Sequence, residues 1–281
     1  MPDQILVTGG TGKTGRFVSQ HLVARGIAAR VASRMPQGPD QVCFDWNDSS
    51  TFDAALDGIT AIYMVAPPDT LEVLQGMRPF MERAVAANVG PLVLLSASST
   101  PPGGPMMGAA HQWLIDHAPN WTALRPTWFM QNFLDYPHAN AIKEERKIYS
   151  ATGPGRVGFI DAEDIARVAV EALTSTALKN RDVMLTGPEA LDYQDVARLI
   201  AEAIGSPVTY HELSIEALAA RFEAEGMPPE YAQGLAAVDG EIAVGSEERI
   251  TDEVAAITGR PARSFANFAA ANRAVWEKNR G

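Results

Sequence analysis

The chain has 281 residues, 46% of them hydrophobic, which allows one large core or a main domain with a smaller companion. With 34 acidic against 23 basic residues and a formal charge of −11, a phosphate-rich polymer such as nucleic acid is excluded as a natural partner. The single cysteine, Cys43, excludes an internal disulfide and fits a reducing compartment.

The first predicted element is the apolar strand "QILV" (residues 4–7), followed by "TGGTGKTG". Gly-Lys-Thr could end a P-loop, but that motif needs a glycine five residues before Gly12, and Val7 stands there. A P-loop enzyme also needs an acidic residue after a second apolar strand, and "AIYMVAPPD" reaches Asp69 only beyond two prolines. Gly9, Gly12 and Gly15 instead form G-x-x-G-x-x-G between a strand and a helix, "GRFVSQHLVARG" (15–26). In a dinucleotide turn the first glycine allows the tight bend and the second lets the backbone approach the pyrophosphate. The third brings helix and strand together. Gly9, Thr11, Gly12, Lys13, Thr14 and Gly15 are therefore the expected pyrophosphate cradle, with the anion on the helix N-terminus. Phe17, Val18, Leu22 and Val23 are expected on the inward helix face.

The second strand, "AARVAS", ends in Ser33 and Arg34 where NAD enzymes carry a carboxylate; none occurs before Asp40. A guanidinium there suits the 2′-phosphate of NADP(H), which is the expected cofactor. Further strands are predicted at 41–46, 60–67 and 91–98, a sixth strand and its exit at 121–129, helices at 51–56 and 71–89, and a turn-rich loop leading into a helix at 101–118. This alternation predicts an α/β, Rossmann-type doubly wound parallel sheet over residues 1–134. A smaller, mainly helical C-terminal region (135–281) follows, with the chain crossing back near 155–190. A strand beginning at residue 4 leaves no room for a leader, and no apolar run approaches the roughly 20 residues of a membrane span. A cytoplasmic protein without a membrane partner is expected, as a monomer or homodimer.

These features resemble the NmrA-like group of atypical short-chain dehydrogenases/reductases: "VTGGTGKTG", Arg34, Asp45-Trp46, "VLLSASS", "LRPTWFMQNF" and "FIDAEDIA". Within it, "GGTGKTG", "SASS…GGPMMGAAHQWL" and "RPTWFMQNF" resemble the agroclavine dehydrogenase/festuclavine synthase branch, NADPH-dependent reductases of an iminium bond. The resemblance implies adenine contacts from Asp45 and Trp46 and an adenosine ribose beside Ala66 and Pro67. It implies a nicotinamide ribose above Ser96 and Ala97, and a carboxamide near Thr127.

Short-chain reductases use a Ser, a Tyr and a Lys four residues after the Tyr. Ser98 stands at the Ser position, but Met107 and His111 stand where Tyr and Lys are expected. His111 is then either a general acid or a ribose contact, and it and Ser98 are the catalytic candidates. A neutral carbonyl needs a proton donor as its oxygen gains charge, whereas an iminium does not. Met107, Trp128, Phe129 and Phe133 are expected to wall a hydrophobic small-molecule site.

The remaining signals are weak. The histidines have no metal-binding spacing and no metal is expected; Cys43 lies in an apolar strand and reads as inert. Asp161, Glu163 and Asp164 read as helix-terminus charges. A quinone or carbonyl reductase, and a regulator that binds NADP(H) without turnover, remain as rivals.

Overall fold

A computed structural model describes residues 4–68 and 70–277. In chain order it contains β1 (Gln4–Val7), α1 (Gly15–Ala24), β2 (Ala28–Ser33), β3 (Gln41–Cys43), α2 (Phe52–Leu56), β4 (Ala61–Val65), α3 (Val73–Ala86), β5 (Leu92–Leu95), α4 (Met107–His117) and β6 (Trp121–Pro126). There follow α5 (His138–Asn140), β7 (Lys147–Ser150), α6 (Ala162–Thr174), β8 (Arg181–Leu185), α7 (Tyr193–Ile204), β9 (Thr209–Glu212), α8 (Ile215–Ala224), α9 (Pro229–Ala243), α10 (Glu253–Thr258) and α11 (Phe265–Asn272).

Two compact units result. The first takes the described residues up to Pro126, then 162–185 and 253–260; the second takes 127–161, 186–252 and 261–277. The expected break lay near 134, with returns near 155–190; the chain changes units at Pro126, and α6, β8 and α10 return to the first.

The first unit is a seven-stranded sheet in the order β3-β2-β1-β4-β5-β6-β8, and every paired neighbour is parallel. This is the predicted doubly wound architecture. The central strands are buried on both faces, as a parallel sheet covered by helices requires: Ile5, Leu6, Val7, Ile62, Tyr63, Met64, Val93 and Leu94 are all at most 2% exposed. Leu6, Ile62, Met64, Leu92 and Leu94 pack with Phe52, Met77, Phe80 and Leu114 from α2, α3 and α4. In α1, Val18 and Leu22 are buried as expected, but Val23 is exposed, one helical step outside the inward face.

The second unit pairs β7 with β9 in parallel. Its core gathers Phe133, Phe159, Tyr193, Phe265, Phe268 and Trp276, and a smaller cluster joins Leu218 and Phe222 of α8 to Ala232 and Ala236 of α9. Several predicted strands are shorter than expected. Cys43 ends β3 and is exposed rather than enclosed in an apolar strand. β6 stops at Pro126 and its expected exit follows, with Phe129 bridged to Ile160.

Candidate functional site

The parallel register brings most of the expected cofactor residues to one edge of the first sheet. Residues 9–15 follow β1, Ser33 and Arg34 close β2, Asp45 and Trp46 follow β3, Ala66 and Pro67 follow β4, and Ser96 to Ser98 follow β5. Carboxyl ends of strands in such a sheet are where ligands bind.

The glycines justify their positions one by one. Gly9 has φ of +59°, and its carbonyl oxygen accepts from the Gly12 N–H at 2.9 Å. A Cβ at Gly15 would lie 2.3 Å from that same oxygen, so only glycine lets α1 begin there. Thr11 and Gly12 are exposed and Lys13 is half-buried, while Thr14 and Gly15 are buried. This open turn at a helix N-terminus fits a pyrophosphate.

The segment expected to hold the adenosine is more loosely built. Arg34 is exposed, and the half-buried Ser33 accepts from the Met35 N–H at 3.2 Å. Asp45 Oδ1 accepts from the Asn47 N–H at 2.9 Å, which orients the carboxylate. Trp46 is half-buried, with its ring edge-on to Phe44 and Phe80 at 4.8 and 5.5 Å.

The segment after β5 is rigid. The Ser96 and Ser98 N–H groups donate to the carbonyls of Leu124 and Pro126 at 2.7 and 2.9 Å. Arg125, not named individually as a candidate, donates to the Ser98 carbonyl at 2.9 Å and pairs with Asp182 at 2.9 Å. Ser96 Oγ lies 3.3 Å from Thr100 Oγ1, and both are buried. Thr8 was also missed: its hydroxyl accepts from the Val65 N–H at 2.7 Å, tying β1 to the end of β4.

His111 departs from both expected roles. Its side chain is fully buried, its ring meets Trp121 edge-on at 5.3 Å, and neither ring nitrogen has a hydrogen-bond partner. Burial lowers its pKa; Asp182 opposes that effect and Arg125 adds to it, so the neutral ring is favoured. An enclosed ring with a lowered pKa is a poor general acid, and it presents no exposed edge to a ribose.

The expected substrate wall divides. Met107 is half-buried at the start of α4, directly after Met106, whose φ of +50° is unusual for a side-chain-bearing residue. Trp128 and Phe129 are half-buried in the second unit. Phe133 is core rather than wall: it is 1% exposed and packs on Phe159, Phe265 and His138, and its carbonyl accepts from Trp276 Nε1 at 2.7 Å. Thr127 is buried with its hydroxyl donating to the Gly158 carbonyl. Asp161, read as a helix-terminus charge, is buried and binds Gln131 Nε2 at 2.7 Å and Arg263 at 3.0 Å. Among the described residues no group of His, Cys, Asp and Glu could hold a metal, and no helix is long and apolar enough to cross a membrane.

A glycine cradle at one edge of a doubly wound sheet defines a dinucleotide-binding protein. Comparison with known proteins agrees. Residues 9–176 match the NAD(P)H-binding family and residues 117–253 the NmrA-like family. The chain belongs to the NAD(P)H-binding family and is an NAD(P)H-dependent oxidoreductase of the NmrA-like, atypical short-chain type. It is 40% identical to the uncharacterized oxidoreductase YesF of Bacillus subtilis, over 97% of this chain and 96% of that one. It is 38% identical to agroclavine dehydrogenase of Claviceps fusiformis, over 97% of this chain and 98% of that one. An NADPH-dependent quinone oxidoreductase of Escherichia coli, solved with NADPH, shares the fold with a TM-score of 0.83 at 23% identity, over 95% of this chain and 99% of that one.

Proposed function

We propose that the protein uses NADP(H) to reduce an activated double bond in a hydrophobic small molecule, an imine or iminium in preference to a neutral ketone. The observation that carries this reading is the absence of a proton donor at the start of α4. Met107 occupies the place of the usual tyrosine, and His111 is enclosed and favoured neutral. The bound cofactor supplies a hydride, two electrons and one hydrogen nucleus, to carbon. An iminium that accepts it becomes a neutral amine with no proton from the protein; a neutral imine must first take its proton from water. A quinone is the second acceptor class, since conjugation spreads the charge it gains. The likeness to agroclavine dehydrogenase supports the first class.

The chain's own residues bind and orient. The 9–15 turn would hold the pyrophosphate, Arg34 with Ser33 the 2′-phosphate, Asp45 with Trp46 the adenine, and Ala66 and Pro67 the adenosine ribose. The Ser96–Ser98 segment, fixed by Arg125, would carry the nicotinamide ribose. Met107 keeps partly exposed apolar surface at the start of α4, the property a substrate wall needs. NADPH oxidation should be followed with cyclic imines, preformed iminium salts, quinones and simple ketones. Good turnover of iminium salts with poor turnover of ketones is expected; the reverse order would reject the proposed acceptor class. If quinones alone oxidise NADPH, the second acceptor class takes the place of the first.

A further inference from the structure

Tyr63 is the one polar side chain of β4, whose other residues are Ala61, Ile62, Met64 and Val65. It is fully buried, yet phenylalanine would fill the same space without a hydroxyl to satisfy. That hydroxyl donates to Thr14 Oγ1 at 2.9 Å. The strand register fixes its position: Tyr63 lies opposite Val7 of β1, and its carbonyl accepts from the Thr8 N–H at 2.9 Å.

Thr14 is unusual from its own side. It is the N-cap of α1, where a threonine hydroxyl normally accepts from a backbone N–H one turn into the helix. Here no such cap bond exists, and the backbone is helical, with φ −99° and ψ −42°. The hydroxyl is buried and turned to Tyr63 instead. The direction of this bond follows from burial. Were Thr14 the donor, the buried phenol proton would have no acceptor among the described residues, which is costly. Burial also raises the Tyr63 pKa, so the phenol keeps its proton and remains a donor. A threonine oxygen that accepts from the phenol retains its own proton for another acceptor.

We propose that Tyr63 is a positioning residue for the dinucleotide: by donating to Thr14 Oγ1 it aims the Thr14 hydroxyl proton at a pyrophosphate oxygen held on the N-terminus of α1. This rests on the dinucleotide-binding reading of the 9–15 turn. The anion would then accept from a hydroxyl that is itself polarised by a buried donor, and such chains strengthen one another. With no cap bond to the helix, the hydroxyl is left to Tyr63 and the ligand.

The test measures dissociation constants by calorimetry for NADPH and for 2′-AMP, which lacks the pyrophosphate. Tyr63→Phe should weaken NADPH about 3- to 10-fold, the scale of one hydrogen bond, and leave 2′-AMP unchanged. Thr14→Val should weaken NADPH at least as much, Thr14→Ser should retain affinity, and Tyr63→Phe should add nothing in the Thr14→Val background. An unchanged NADPH affinity in Tyr63→Phe, equal weakening of both ligands, or additive effects in the double variant would each overturn the proposal. Should Tyr63→Phe fail to fold, equal NADPH affinity in the Val and Ser variants at position 14 would overturn it as well. A parent protein that binds 2′-AMP but not NADPH would instead refute the pyrophosphate role of the turn.

Discussion

Arg125 holds Ser98 by its backbone: the guanidinium donates to the Ser98 carbonyl at 2.9 Å while its other arm meets Asp182 at 2.9 Å. The arginine therefore links the end of β6 both to the segment after β5 and to β8. Its side chain is 14% exposed, so these bonds are largely shielded from water. Arg125→Met should lower stability in urea by about 1–3 kcal/mol, as expected for hydrogen bonds from a charged donor. It should also weaken NADPH binding, because the proposed ribose platform would lose its anchor. Arg125→Lys, which cannot reproduce the fork, should recover only part of either effect. Unchanged NADPH affinity in Arg125→Met would detach the platform from the cofactor.

Arg34 tests the cofactor preference. It is exposed at the end of β2, and β2 carries no carboxylate to receive a ribose 2′-hydroxyl. The parent should bind NADPH more tightly than NADH. Arg34→Ala should narrow the difference by about 1–3 kcal/mol, read by tryptophan quenching with both cofactors. Equal affinity of the parent for the two would reject Arg34 as a 2′-phosphate contact.

The strand–helix alternation and the glycine spacing carried the fold, because both are local patterns. What escaped the sequence depends on register. The Arg125 clamp exists because β5, β6 and β8 are neighbours, and Arg125 lies opposite Met184, two residues from Asp182. Phe133 looked like a pocket residue beside Trp128 and Phe129, but it turns into an aromatic cluster assembled from residues 159, 193 and 265. His111 kept the spacing of a catalytic lysine, and spacing alone does not show that Trp121 closes over the ring. Tyr63 left a readable trace, a phenol inside an otherwise apolar strand, although its partner could not be read.

Asp239 should make stability depend on pH. It lies on α9, buried, and accepts from the Ala151 N–H at 2.9 Å. Burial raises its pKa from 3.8 to about 6, and the bonds from Ala151 and Ser150 only partly oppose this. The folded state therefore binds the proton more tightly than the unfolded state. Stability from this group is complete below about pH 4 and is lost as pH rises to about 6. Asp239→Asn keeps an oxygen for Ala151 and removes the charge. It should match the parent near pH 4 and exceed it by up to about 3 kcal/mol near pH 8. Urea unfolding at the two pH values decides; a variant less stable than the parent at pH 8 would show that the carboxylate is favoured.

His111 gives the opposite dependence and bears on the chemistry. Its folded pKa lies below the ordinary value of 6.5, so the unfolded state takes up a proton first as the solution is acidified. Its contribution is intact above pH 6.5 and is lost as pH falls below that value. The ring has two nitrogens without partners and an aromatic neighbour, and phenylalanine suits both features. His111→Phe should therefore fold, should lose less stability than the parent between pH 6.5 and pH 5, and should keep NADPH affinity. With a preformed iminium substrate its kcat should stay within about threefold of the parent, because no general acid has been removed. A fall of about 10²- to 10⁴-fold, with loss of one limb of the pH profile, would instead identify His111 as the acid. That result would require the ring to leave its enclosed position against Trp121 during turnover, and it would reopen neutral carbonyls as substrates.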